Sequence, residues 1–76
     1  MNAINTHNDT TTTHYFKVDH EGKEYEVTMY TNMNGKFIDE SITLNGEELE
    51  YQGEEGQIRE DITTFLDENW DDLVRL

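Results

Sequence analysis

The last third of the chain constrains the fold most, because its apolar residues recur at the spacing of an α-helix. Between Glu55 and Val74, and on to the C-terminus, they fall within one third of a helical circumference. This apolar stripe comprises Ile58, Ile62, Phe65, Leu66, Leu73 and Leu76, with Trp70 at its border. A single helix of about 20 residues would be about 30 Å long. We expect it to cover a hydrophobic core.

The opposite side of this helix carries a row of carboxylates, which we call the acidic helix face. It comprises Glu60, Asp61, Asp67, Glu68, Asp71 and Asp72. Only Arg59 near its boundary and Arg75 at its edge relieve the negative charge. Like charges four residues apart, such as Asp67 and Asp71, repel by a few tenths of a kcal/mol. The row is therefore either a solvated helix side or a surface retained for binding.

Alternating apolar and polar residues upstream of the helix predict strands. The expected strands are His14–Asp19, Lys23–Thr31, Phe37–Leu44 and a short Glu47–Tyr51. Turns are expected at residues 20–22 and 32–36, and at Asn45-Gly46. The sequence thus predicts an α+β fold, an antiparallel three- or four-stranded meander with one C-terminal amphipathic helix packed on a face.

The third and fourth strands carry specific expectations about which side chains face the core. Alternation places Ile38, Ile42 and Leu44 inward, together with Leu49 and Tyr51. Glu40 falls on the same apolar face, which predicts a bulge or an edge position there. Residues 1–13 lack a hydrophobic period and predict a disordered tail, followed by a single domain over residues 14–76.

Charge is the strongest compositional signal. The 76 residues have a formal net charge of −13 and no cysteine, so the sequence contains neither disulfides nor thiolate metal ligands. Residues 39–76 hold thirteen acids and two bases. Such a chain should be repelled by nucleic acid and by anionic membranes, and attracted to basic protein surfaces. With no apolar run typical of a signal peptide or a membrane span, we expect a cytosolic protein.

Motifs for catalysis or for a bound metal are absent from the sequence. Ser41 is the single serine, and the histidines at positions 7, 14 and 20 have no metal-ligand spacing. An EF-hand loop centred on Gly35 would place Tyr30 and Ser41 at its first and twelfth ligand positions, where carboxylates are needed. We therefore expect no enzyme activity, no cofactor and no metal.

Small, acidic, cysteine-free α+β chains resemble the nucleic-acid-mimic inhibitors that phages and other mobile elements use against CRISPR effectors, restriction enzymes and DNA-repair enzymes. The resemblance covers size, charge and helix pattern, and it assigns no site residue. It implies an inhibitor that binds a basic surface of a nucleic-acid-handling enzyme. The alternative is a non-enzymatic interaction module, such as an adaptor or small subunit.

Either function would use the acidic helix face and an acidic loop preceding the helix. The acidic loop comprises Glu47, Glu48, Glu50, Glu54 and Glu55. Three aromatic residues off the core face, Tyr15, Tyr30 and Phe37, are the expected contact anchors, together with Trp70 at the border of the stripe.

Overall fold

A five-stranded antiparallel sheet forms one layer of the protein, and the C-terminal helical segment covers one of its faces. A computed structural model describes residues 1–10 and 12–74. The elements are β1 (Asn2–Asn8), β2 (Thr13–His20), β3 (Lys23–Thr31), β4 (Phe37–Leu44), β5 (Glu47–Glu48), α1 (Gly53–Glu68) and α2 (Trp70–Leu73). Strands follow one another in the order β1-β2-β3-β4-β5. The predicted α+β meander with a C-terminal helix is confirmed, with five strands rather than three or four.

Two tight turns fix the register of the sheet. Glu21 and Gly22 join β2 to β3, with φ angles of 51° and 78°. Asn45 and Gly46 join β4 to β5, with φ angles of 55° and 85°. Two successive positive φ angles match the right-handed twist of the flanking strands. Both turns lie where the sequence predicted them.

The core lies between the inner face of the sheet and the helical segment. The sheet contributes Phe16, Val18, Tyr25, Val27, Met29 and Ile42, and the segments that follow it contribute Leu49, Ile62, Leu66 and Val74. Within the apolar stripe, Ile62 and Leu66 are fully buried, whereas Ile58, Phe65 and Leu73 are half-buried. Leu76 lies outside the described residues.

The N-terminal segment corrects the prediction of a disordered tail. Residues Asn2–Asn8 pair with β2 along its whole length, with a bulge at Thr6. Backbone hydrogen bonds of a sheet do not require apolar side chains, and Ala3 packs against the core. The Asn5 side chain adds a hydrogen bond from its Nδ2 to the Tyr15 carbonyl, at 2.9 Å. A polar strand is thereby held at the sheet edge.

The side chains of β4 do not follow the simple inward and outward alternation that the sequence predicted. A bulge at Ile38, rather than at Glu40, shifts the register against β3. Ile38 consequently points to solvent and is 65% exposed, so its predicted inward position is wrong. Phe37 instead contacts Trp70, with ring centroids 4.8 Å apart. Ile42 is buried and Leu44 half-buried, as predicted.

β5 is shorter than predicted. It ends at Glu48, so only two residues pair with β4. Leu49 is buried as expected, but Tyr51 is 70% exposed rather than inward. The chain leaves the sheet at this point to begin α1.

The C-terminal segment is two helices rather than one rod. Asn69, with φ −110° and ψ 14°, separates α1 from α2, and its Nδ2 donates a hydrogen bond to the Phe65 carbonyl at 2.8 Å. A short polar side chain that bonds the backbone competes with a continuing helix. The break places Trp70 over the end of the sheet, against Phe16 and Phe37. Neither helix is long and apolar enough to cross a membrane.

Candidate protein-binding surface

The carboxylates singled out in the sequence lie along the helical segment and at its two ends. The acidic loop surrounds the N-terminus of α1. Glu60 and Asp61 lie in the middle of α1, and Asp67 and Glu68 lie at its C-terminal end. Asp71 and Asp72 follow in α2. A helix of the length of α1, 16 residues, spans about 24 Å. The two ends must therefore be judged separately.

Much of the acidic loop serves the fold itself. The Glu48 carboxylate accepts hydrogen bonds from Ser41 Oγ at 2.6 Å and from the Ile42 backbone N–H at 2.7 Å. Glu55 Oε1 accepts one from the Glu50 N–H at 2.7 Å. Glu54 and Glu55 also occupy the first turn of α1, where the helix dipole favours negative charge. Of the five acidic-loop residues, Glu47 and Glu50 have exposed side chains with no such role.

Arg59 is the central residue of this end, and it is buried rather than near the boundary of the exposed face, where the helical spacing predicted it. Its side chain is 4% exposed. Its guanidinium donates to Glu48 Oε2 at 2.7 Å and to the Leu49 carbonyl at 3.1 Å. It also lies 3.6 Å from Glu40 Oε1 and 4.1 Å from the centre of the Tyr51 ring. Arg59 thus ties α1 to β4 and to the segment after β5.

The signal that could have located Arg59 was present in the sequence. Glu40 lies on the inner face of β4, as the alternation placed it, because Arg59 supplies a cation there. A carboxylate at a core position requires a partner of opposite charge or a large free-energy cost. The alternation predicted a bulge or an edge position at Glu40, whereas in the structure Glu40 pairs with Arg59.

The network shifts the pKa of Glu48. Burial opposes ionisation of this carboxyl, but hydrogen bonds from Ser41, Arg59 and the Ile42 N–H, with the positive charge of Arg59, outweigh it. The pKa of Glu48 therefore lies below its ordinary value. Glu48 remains ionised and paired, which leaves little of its charge for a partner.

The pKa of Tyr25 is also shifted, and part of this shift reflects the negative charge around the N-terminus of α1. Burial raises the pKa of the Tyr25 hydroxyl, and the carboxylates of Glu21 and Glu55 raise it further. The carboxylates of the β2–β3 turn and of the helix N-terminus therefore act together on one buried group.

The acidic helix face has no comparable internal role. Glu60, Asp67, Glu68, Asp71 and Asp72 are exposed, whereas Asp61 is half-buried and accepts a hydrogen bond from Gln57 at 2.9 Å. Within residues 1–10 and 12–74, no salt bridge includes any of these six carboxylates. The five exposed carboxylates are accessible to a ligand.

Two of these carboxylates lie where the helix disfavours them. Asp67 and Glu68 occupy the last turn of α1, which contains no basic residue. The negative end of the helix dipole faces them, and each such carboxylate costs a few tenths of a kcal/mol or more. The fold gains nothing from acids at these positions.

Of the expected aromatic anchors, Phe37 packs against the core instead of lying off it, and Tyr15 is half-buried. The other two, Trp70 and Tyr30, differ in their accessibility. Trp70 is half-buried, and its ring packs edge-on against His14 at 5.0 Å between centroids, and against Phe37. Most of the ring is thus used inside the protein. Tyr30 is 38% exposed and lies on the face of the sheet that no helix covers. Tyr30 is the more accessible of the two.

Four residues of the acidic loop, Glu47, Glu48, Glu50 and Glu55, line a cleft of about 190 Å³ together with Leu44 and Leu49. Among the residues that the structure describes, no cluster of three or more His, Asp and Glu side chains could hold a metal ion.

Comparison of the chain with protein families, curated proteins and solved structures finds no match. The surface itself must carry the functional argument.

Proposed function

We propose that the protein is an inhibitor whose acidic helix face binds a basic surface of a nucleic-acid-handling enzyme. One observation carries the proposal: exposed carboxylates form an unpaired row along α1 and α2, even at the helix end where the dipole disfavours them. Acids at the unfavourable end of α1, in a row that makes no salt bridge within the described residues, are best explained by a positively charged ligand.

The spacing of the row supports an enzyme surface built for phosphates. Four of the carboxylates, Glu60, Asp61, Asp67 and Glu68, lie between residues 60 and 68 of α1, which corresponds to about 12 Å of helix, or roughly one charge per 3 Å. A single DNA strand carries one charge per about 3.4 Å. Lysine and arginine side chains arranged to neutralise a phosphate backbone would meet a similar density of charge here. The target classes are CRISPR effectors, restriction enzymes and DNA-repair enzymes.

The acidic residues have two different roles, one in the fold and one in the proposed binding. Glu48 and Glu55 hold the acidic loop in place through hydrogen bonds, so their loss would perturb the fold. Glu60, Asp67 and Asp71 make no such contacts and belong to the binding surface. The acidic loop contributes to the long-range field that attracts a basic protein.

The test compares two charge reversals of equal size in an inhibition assay. In the first variant, Glu60, Asp67 and Asp71 are replaced by Lys. In the control, Asp19, Glu24 and Glu26 on the open face of the sheet are replaced by Lys, and these three are also exposed. A purified CRISPR effector, a restriction enzyme and a DNA-repair enzyme are each assayed on their DNA substrates. We expect wild type and the control to inhibit one of them, and the first variant to fail.

Two results would contradict the proposal. If both variants inhibit as well as the wild type does, the acidic helix face is a solvated surface. If the wild type inhibits and binds none of the three enzymes even at low salt, the adaptor or small-subunit function takes precedence. Thermal unfolding of each variant provides the folding control.

A further inference from the structure

The two edges of the sheet differ in how well they are protected against pairing with another strand. β5 at one edge contains two residues, and both are glutamates. Short strands and charged side chains are common means by which proteins block such pairing. β1 at the other edge contains seven residues, none of which is Asp, Glu, Lys, Arg or Pro. Among the residues that the structure describes, no strand pairs with the outer side of β1.

The first half of β1 has the regular geometry that strand pairing needs. Residues 2–5 pair with consecutive residues of β2, and the bulge at Thr6 then interrupts this pairing. An edge strand directs about half of its backbone N–H and C=O groups to its neighbour, and the other half point outward. We call the outward side of residues 2–5 the β1 edge. An extended peptide is the ligand that matches such a row of backbone donors and acceptors.

The side chains of β1 indicate what an added strand would carry on the open face of the sheet. Ile4 lies on that face, opposite Lys17 of β2, and is 62% exposed. Ala3 lies on the other face, where it packs against the core. Side chains opposite each other on neighbouring strands are in contact, so an apolar residue beside Ile4 would remove exposed apolar surface from water. An added strand therefore gains from apolar residues on its open face.

The helical layer places negative charge near the β1 edge on the opposite face. α2 lies against β1, and the ring of its first residue, Trp70, packs on His14 of β2 with 5.0 Å between ring centroids. Asp71 and Asp72 follow Trp70 directly, and both are exposed. A strand added to β1 would pass beside α2 on this side of the sheet. Lysine or arginine side chains on that side of the strand would be attracted to the two carboxylates.

We propose that the β1 edge binds an extended basic segment of a partner protein, in which lysine or arginine residues alternate with apolar ones. The alternation follows from strand geometry, since successive side chains point to opposite faces, one toward α2 and the next toward the open face. A second copy of this chain fits poorly, because pairing two β1 strands would bring the carboxylates of two α2 helices toward each other. The inference goes beyond the proposed function, because backbone pairing at a sheet edge does not depend on which class of protein supplies the segment.

The test is a titration of the isotope-labelled protein with a short synthetic peptide of alternating valine and lysine, followed by NMR. We expect the amide signals of residues 2–5 to shift and their hydrogen exchange to slow, because the outward N–H groups gain acceptors. A peptide of alternating proline and lysine carries the same charge but cannot pair as a strand. This control peptide should leave the exchange of these amides unchanged.

Two matched variants locate the site on the open face. Ile4→Lys and Ile38→Lys make the same change of charge at isoleucines that are 62% and 65% exposed, and only the first lies in β1. Lysine at position 4 loses the apolar contact with the added strand and guards the edge. We expect Ile4→Lys to raise the Kd for the valine–lysine peptide by about threefold to fivefold more than Ile38→Lys does.

Two further variants test the charge beside the edge. Asp71→Asn and Asp72→Asn are combined in one protein, and Glu47→Gln and Glu50→Gln in the control. Both proteins lose two negative charges, but the control loses them at the opposite end of the sheet order, in and after β5. We expect the α2 variant to bind the valine–lysine peptide more weakly than the control does, because screened attraction falls with distance.

Three results would overturn the inference. If the valine–lysine peptide leaves the exchange of the residue 2–5 amides unchanged, the β1 edge binds no strand. If the proline–lysine peptide slows their exchange equally, charge alone attracts the peptide. If the signals of these residues shift with protein concentration in the absence of peptide, a second copy of the chain occupies the edge. The inhibition assay is independent, so failure of the proposed function there would leave this inference standing.

Discussion

Arg59 determines how the acidic end of the molecule is built. It is the buried cation to which Glu40, Glu48 and the Leu49 carbonyl are directed, and its guanidinium lies over the Tyr51 ring. The ion pairs of Arg59 with Glu40 and with Glu48 each include a buried side chain. The ion pair of Lys17 with Glu24, at 3.9 Å, lies on the surface. The pairs of Arg59 should matter more for stability because Arg59 is buried, whereas exposed ion pairs contribute little to the free energy of unfolding.

We predict that Arg59→Met lowers the free energy of unfolding by about 2–3 kcal/mol. The substitution keeps most of the side-chain volume but leaves Glu40 and Glu48 without a cation. Lys17→Met removes the exposed pair and should change stability by less than about 0.5 kcal/mol. Urea unfolding followed by tryptophan fluorescence measures both. Equal stability of the two variants would mean that the Arg59 network is dispensable.

Glu48 should make part of the stability depend on pH. Its pKa in the folded protein is lower than in the unfolded chain, where glutamate titrates near about 4.3. Its contribution is therefore present above about pH 4.3 and is lost as the pH falls through the lower, folded pKa. We predict that the stability difference between wild type and Glu48→Gln narrows below that pH.

The comparison with Glu48→Gln removes a confounding effect. Acid also relieves the repulsion among the other carboxylates, which stabilises both proteins alike. Urea unfolding at a series of pH values from 6 to 3 gives the difference directly. If the difference in the free energy of unfolding between the two proteins stays constant or widens in acid, Glu48 is not held ionised by this network.

At the scale of elements, short turn signals and hydrophobic periods predicted most of the fold. Asn45-Gly46 placed a hairpin turn, and the alternation of β3 identified which of its residues are buried. These are local features, and the physical causes lie within a few residues. The helix stripe likewise placed Ile62 and Leu66 in the core.

The features that the sequence did not reveal depend on distant partners. β1 has no hydrophobic period and is held largely by backbone hydrogen bonds to β2, which no local pattern reports. The break at Asn69 depends on a sheet end that can receive Trp70. Glu40 and Arg59 lie 19 residues apart in the sequence. The buried position of each has a physical reason only once the fold has brought the two charges together.

The pairing of β1 gives a prediction about amide exchange. Amides of Asn2–Asn8 that bond to β2 should exchange more slowly than the Met33 amide, which is the one in the turn at residues 32–36 that makes no hydrogen bond. Protection should be weaker than in β3, because β1 is an edge strand. Hydrogen exchange by NMR on the free protein decides this. Random-coil exchange throughout residues 1–8 would support a disordered tail instead.

At the scale of the whole molecule, the carboxylates differ in their structural roles. Glu48 and Glu55 bond to the backbone or to Arg59, whereas the acidic helix face is exposed apart from Asp61, which accepts a hydrogen bond from Gln57.

The most direct test of the proposed function is the salt dependence of the affinity for the inhibited enzyme. Kd is measured at several salt concentrations for wild type and for the neutral variant Glu60→Gln, Asp67→Asn, Asp71→Asn. We predict that the wild-type Kd rises with salt, and that the neutral variant binds more weakly with a shallower salt dependence, because three screened attractions are gone. A wild-type Kd that is independent of salt and unchanged in the neutral variant would contradict the account.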